Sequence, residues 1–121
     1  MNAKSRVVMV VDDDDMIRRL VRTVLEADEF EVVEARDGQS ALDLASSHHP
    51  SVVVLDVMMP GIDGVEVCQR LDHAQLKVIV LTARDDPVLE KACQDASAEA
   101  FLTKPFSSIE LLDLVDELMR S

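Results

Sequence analysis

The sequence predicts an α/β domain built on one doubly wound, five-stranded parallel sheet. Three observations carry this. Short Val-rich runs alternate five times with stretches of helical periodicity. Within the runs apolar residues do not alternate with polar ones, which is the pattern of strands covered on both faces. And 121 residues, 48% of them apolar, suit one domain with a real core, here residues 1–121. Repeated β-α units imply right-handed crossovers that place helices on both faces of the sheet. Ligands in such sheets bind beyond the carboxyl ends of the strands, so those ends are where chemistry is expected.

The elements follow in order. Val7–Val11 reads as the first strand, and Asp14 can cap a helix carrying Ile17, Leu20, Val21, Val24 and Leu25. Phe30–Val33 is the second strand, and Asp37 is a candidate cap for the helix after it. Val52–Leu55 is the third; Pro60-Gly61 then signals a turn, and Asp63-Gly64 can start the next helix. Val78–Leu81 is the fourth strand, after which Pro87, preceded by Asp85 and Asp86, suits the first position of a helix. Ala100–Leu102 is a weaker fifth strand leading into the helix SSIELLDLVDELMRS.

The ends of these strands share a chemistry. The first ends at Asp12-Asp13, the third at Asp56, the fourth at Thr82-Ala83 and the fifth at Lys104-Pro105. Carboxylates crowded into one cleft repel unless a cation or protons neutralise them. An oxygen-only set with open positions suits Mg²⁺, which keeps waters and accepts phosphate oxygens as further ligands. Asp12 and Asp13 therefore read as metal ligands, while Asp14 and Asp15 favour a helix N-terminus. Taken singly, each residue has a plainer reading: an Asp as cap or turn residue, Thr82 as a cap, Lys104 as a solvated charge. Their arrival at one edge of one sheet favours the joint reading.

Composition removes several functions. Twelve Lys and Arg against 24 Asp and Glu give a net charge of -12, and only Arg18, Arg19 and Arg22 cluster, so direct nucleic-acid binding is not expected. Three Phe are the only aromatics, too few for a base-stacking platform. No apolar run approaches the ~20 residues of a membrane span, and no charged-then-apolar leader opens the chain, so a cytoplasmic protein is expected. Cys68 and Cys93 fit neither a disulfide framework nor a zinc site and read as half-buried thiols.

VVDD (10–13), LDVMMPGIDG (55–64), LTA (81–83) and FLTKPF (101–106) together make the chain resemble a response-regulator receiver domain of two-component signalling, over essentially its full length. The resemblance implies a (βα)5 flavodoxin-like fold with strand order 2-1-3-4-5. It implies that Asp56 is the phosphoacceptor, receiving a phosphoryl group from a sensor histidine kinase or histidine phosphotransfer protein, or from a small phosphodonor. Mg²⁺, or Mn²⁺ in its place, is then held by Asp13, Asp56 and the main-chain carbonyl of Met58, with Asp12 acting largely through water. Lys104 pairs with one phosphoryl oxygen and the Thr82 hydroxyl takes another. Phe101 moves inward with Thr82, passing the change to the surface of the fourth helix, fifth strand and fifth helix, where an output domain, a downstream protein or a second phosphorylated copy binds. A cis Lys104–Pro105 bond is part of the same pattern. Such a domain catalyses its own phosphorylation and dephosphorylation and is not a turnover enzyme.

The chain departs from that pattern in places. LDHAQLKVIV, between the third helix and fourth strand, is several residues short, which predicts a trimmed helix end or loop away from the site. Ser97 stands where a glycine commonly ends the fourth helix, and a left-handed conformation there costs Ser more than Gly. The fifth helix has Leu114 and Asp116 where winged-helix regulators often carry basic residues for dimer salt bridges. Its Leu111, Leu112, Leu114, Val115, Leu118 and Met119 cover an arc of roughly 160°, which suits either a deep core helix or an apolar docking surface. Met58 and Met59 read as apolar groups covering their loop, His48 and His49 as a solvated helix C-terminus, and His73 as part of a polar connection. The same resemblance implies that kinase recognition falls to surface residues of the first helix, Arg18, Arg22 and their neighbours, and that Met58 and Arg84 flank the phosphoryl site.

Three rivals share parts of this set. A phosphatase of the haloacid-dehalogenase kind needs a second Asp two residues after its nucleophile, where this chain has Met58. A flavodoxin cradles a flavin phosphate in loop amides after its first strand, a place where four aspartates repel it. A pseudo-receiver, which is a pure interaction module, should lack part of the acidic set or the lysine.

Overall fold

The computed structural model describes residues 6–58, 64–82 and 86–120. They form β1 (Val7–Val11), α1 (Asp15–Ala27), β2 (Glu31–Ala35), α2 (Gly38–His48), β3 (Val52–Asp56), α3 (Gly64–Arg70), β4 (Lys77–Thr82), α4 (Pro87–Asp95), β5 (Ala100–Thr103) and α5 (Ser108–Arg120). The strands make one parallel sheet in the order β2-β1-β3-β4-β5. β2 begins one residue later and runs two further than its apolar run, because pairing of Val7 through Val11 with Glu31 through Ala35 carries the ladder past the hydrophobic stretch. Asp63 as a cap, the Pro60-Gly61 turn, Met59, Ala83, Arg84 and Asp85 lie outside the described residues.

Each strand feeds two cores by simple alternation. Val8 and Val10, Val52 and Val54, and Ile79 and Leu81 pack with Val21 and Leu25 of α1 and Leu111 and Val115 of α5. Met9 and Val11, Val53 and Leu55, and Val78 and Val80 face α2, α3 and α4 through Ala41, Val67, Cys68 and Cys93. A one-residue slip in any central strand would exchange the two sets, so the register is strongly held.

Leu112, Leu114, Leu118 and Met119 also pack on the α1–α5 core, and α5 touches α1, β3 and β5. The wide apolar arc of α5 is used inward: the helix sits in the groove between the sheet and α1. Both cysteines are fully buried rather than half-buried, and burial pushes the Cys68 thiol up to about 12.

Capping follows the sequence closely. The Asp14 carboxylate accepts hydrogen bonds from the Met16 and Ile17 amides, Asp37 from Ser40, and Asp86 from Leu89, with Pro87 opening α4. Ser97 does adopt the left-handed conformation, with φ 75°, where the Ser97 and Ala98 amides close the end of α4 on Gln94 and Cys93. The shortened segment appears as a seven-residue α3 followed by a compact link into β4. There His73 is more than a polar connector: Nε2 lies 2.7 Å from the Cys68 carbonyl and Nδ1 3.0 Å from Glu99, tying the end of α3 to the approach to β5.

Candidate functional site

The site lies at the carboxyl edge of the sheet, where β1, β3, β4 and β5 end side by side. The order β1-β3-β4-β5 makes these ends neighbours although they are distant in sequence. Asp12 directly follows β1, Asp56 is the last residue of β3, and Thr82 the last of β4. All three are buried, whereas Asp13 is exposed on the rim. One carboxylate oxygen from each of Asp12, Asp13 and Asp56 comes within 4.8 Å of the other two.

Lys104 crosses to this cluster from beyond β5. Its ammonium donates to Asp12 Oδ2 at 3.0 Å and stands 3.5 Å from Asp56 Oδ2. The Lys104 amide donates to the Thr82 carbonyl at 2.9 Å, which anchors the backbone beside the end of β4. The Lys104–Pro105 bond is cis. Burial would lower the Lys104 affinity for its proton, but the Asp12 and Asp56 carboxylates outweigh it and hold the ammonium above the usual lysine range. For Asp12 burial wins. It raises the carboxyl above the ordinary range against the Asp14 amide and Lys104, and the Asp56 charge adds to the rise.

The loop geometry around the two buried aspartates is tight. Asp12 Oδ1 accepts from the Asp14 amide and Asp56 Oδ1 from the Met58 amide, both at 2.9 Å, so each carboxylate folds its own loop and leaves a second oxygen toward the cluster. Gly64, the first residue of α3, lies against Val57: a Cβ there would come within 2.4 Å of Val57 Cα. Met58 is 58% exposed, so its side chain stands out from the loop rather than covering it. Phe101, paired with Val80 across β4 and β5, packs half-buried on the α2–α4 side.

The donor set suits a hard divalent cation. It consists of carboxylate oxygens only, carries more negative charge than Lys104 offsets, and includes one carboxylate, Asp13, open to solvent. Asp12, Asp13 and Asp56 fit Mg²⁺ on these grounds.

Arg18 is the residue sequence reasoning misplaced. Its side chain is only 12% exposed. Nη1 donates to the Asp12 carbonyl at 2.7 Å, Nε to Glu34 at 3.1 Å, and Nη2 pairs with Asp15. Leu20, expected on the apolar stripe of α1, is instead exposed, as is Met16. The available signal was Glu34, a carboxylate inside the Val-rich run of β2 that needs a partner.

A family model described as the response regulator receiver domain matches residues 8–116. The response regulator MprA of Mycolicibacterium vanbaalenii is 45% identical over 115 residues, which are 93% of this chain and 50% of that protein. The chain thus spans about half the length of the curated relatives it matches. Among solved structures, a response regulator from Chloroflexus aurantiacus superposes with a TM-score of 0.89 at 32% identity, covering 98% of this chain and all of that one. A signal receiver domain from Bermanella marisrubri gives 0.87 at 30% identity, covering 95% and 98%.

Proposed function

Because this chain belongs to the response regulator receiver domain family, we propose that it is a phosphorylation switch whose phosphoacceptor is Asp56. A carboxylate oxygen of Asp56 attacks the phosphorus of a phosphohistidine on a sensor kinase or phosphotransfer protein. The P–N bond breaks, its electron pair leaves with the imidazole, and an acyl phosphate remains on Asp56. The observation that carries this reading is the pairing of a buried Asp56 with a cationic Lys104 at 3.5 Å beside two further carboxylates.

Asp12, Asp13, Asp56 and the Met58 main-chain carbonyl would hold Mg²⁺, which when bound offsets negative charge on the transferring group. Lys104 contributes a fixed positive charge at the same place, released from Asp12 to a phosphoryl oxygen as that oxygen arrives. The Thr82 hydroxyl takes a second oxygen. Phe101 follows it inward, and the α4–β5–α5 surface changes shape for an output domain or downstream protein. The domain turns over only its own phosphoryl group.

An amide NMR titration with Mg²⁺, followed by beryllofluoride as a phosphoryl mimic, tests this without the cognate kinase. Mg²⁺ should shift Asp12, Asp13 and Asp56, and beryllofluoride should then move Thr82, Phe101 and Lys104. A beryllofluoride response that survives unchanged in a folded Asp56→Asn variant would refute Asp56 as the acceptor. A response to Mg²⁺ alone would leave a cation site without the phosphoryl function, and no response to either would make this a receiver fold retained only for binding.

A further inference from the structure

We propose that Arg18 is a positioning residue for the acidic site: by holding the Asp12 carbonyl it fixes the Asp12–Asp13 peptide plane, and with it the aim of the two carboxylates at the cation. The inference rests on reading the site as a divalent-cation site.

β1 stops at Val11, so the peptide after Asp12 has no strand partner to orient it. The rest of Asp12 is held at every polar atom. Its amide donates to the Ala35 carbonyl at 3.1 Å, Oδ1 accepts from the Asp14 amide and Oδ2 from Lys104. The carbonyl is held by Arg18 Nη1 at 2.7 Å, the shortest of these contacts. That carbonyl belongs to the same rigid peptide as the Asp13 amide, so its rotation turns the backbone that carries Asp13.

Arg18 can act as a fixed point because it is itself fixed. Its Nε and Nη2 are engaged by Glu34 and Asp15, and Glu34 is gripped from its other oxygen by Arg22. The guanidinium thus ties the β1–α1 loop to β2 and to the first turn of α1. The guanidinium spreads its donors over a rigid planar fork that reaches separated acceptors from one fixed orientation, whereas an ammonium gathers its three donors on a single nitrogen at the end of a flexible stem. A purely structural role in the α1–β2 ion-pair network is the competing account. It treats Arg18 and Arg22 alike, since both hold Glu34, whereas only Arg18 reaches Asp12.

The test compares Arg18→Met, Arg18→Lys and Arg22→Met by amide NMR with Mg²⁺ alone. In the wild type, Mg²⁺ should give saturable shifts at Asp12, Asp13 and Asp56. Arg18→Met should displace the Asp13 amide before any Mg²⁺ is added and weaken Mg²⁺ binding about 10-fold, the lower range for loss of a group that orients a ligand. Arg18→Lys keeps the charge and most of the stem, so it should fold even where Arg18→Met does not, with an intermediate weakening. Arg22→Met loosens Glu34 but removes no contact to Asp12, so it should move both readouts much less than Arg18→Met does. Wild-type affinity and an unmoved Asp13 amide in the Arg18 variants overturn the proposal. So does an Arg22→Met variant that weakens Mg²⁺ as much as Arg18→Met does, because the effect then belongs to the Glu34 network. A wild type that ignores Mg²⁺ overturns the cation reading itself and this inference with it.

Discussion

Replacing Lys104 by methionine keeps the apolar stem and removes the charge, which isolates what the ammonium does for two buried carboxylates. Lys104 stands 3.0 Å from Asp12 Oδ2 and 3.5 Å from Asp56 Oδ2. At an effective dielectric of about 20, each contact has a gross Coulomb energy of about 5 kcal/mol. Most of that is offset by desolvation, and the 32% exposed ammonium is partly screened by water. A net loss of about 2–3 kcal/mol is what remains for charge-assisted hydrogen bonds to a buried acceptor. Urea unfolding without divalent cation should show it as a midpoint lowered by roughly 1–2 M for a small domain. Two further readouts separate lost attraction from lost packing. Asp12 already titrates above the ordinary carboxylate range, and without Lys104 it should rise further. A raised folded-state pKa stabilises the protonated side, so the Lys104→Met penalty should be smaller at about pH 4 than at about pH 7. Mg²⁺ no longer competes with an ammonium for the same oxygens, so it should stabilise the variant more than the wild type. Equal stability of the two proteins without Mg²⁺, or a penalty independent of both pH and Mg²⁺, would refute the account.

Three other perturbations test particular contacts. Ser97→Gly should stabilise by roughly 0.5–1 kcal/mol, because a left-handed backbone costs an L-residue about 1–2 kcal/mol and the looser unfolded chain returns part of the gain; a urea midpoint at or below wild type would count against it. Gly64→Ala should destabilise by roughly 1–3 kcal/mol, since the new methyl meets Val57 backbone at 2.4 Å; the same urea comparison checks it, and shifted Asp56 and Met58 amides should accompany the loss. The Cys68 thiol, buried and pushed up to about 12, should resist iodoacetamide at mildly alkaline pH until urea unfolds the domain; rapid alkylation of the native protein would mean that the α3–α4 side opens readily.

Most of the sheet was legible because Val-rich strands are followed by aspartates that cap helices, two signals that agree where β1, β2 and β4 lead into α1, α2 and α4; β5 has no Val, and the helix after it is capped by Ser107. The strand ends were legible for the same reason. Asp12, Asp56, Thr82 and Lys104 each close an apolar run, and parallel topology leaves all such ends on one edge. What could not be read was direction. The apolar arc of α5 fits a core helix and a docking face equally well from spacing alone. Only contact with α1 and the sheet decides that Leu114 and Leu118 point inward. The limits of β2 were missed because pairing with β1, not side-chain polarity, sets where that strand ends.

Arg18 shows the same limit at the level of one side chain. On α1 it precedes Arg19 and lies one turn from Arg22, a pattern that reads as a solvated basic face. The fold turns it inward because β2 offers Glu34 and the loop after β1 offers an unpaired carbonyl. A mostly covered guanidinium is stable where such acceptors converge, and a half-buried Glu34 where a cation reaches it. Each partner removes the cost of the other, and both come to rest beside the aspartates that open the sequence's acidic run. The four carboxylates from Asp12 to Asp15 are therefore not a uniform patch of repulsion. Asp12 is paired with Lys104, Asp14 closes α1, Asp15 holds Arg18, and Asp13 is left on the rim with its oxygen toward Asp12 and Asp56. Within this run, the charge left unmatched lies where a cation can reach it from solvent.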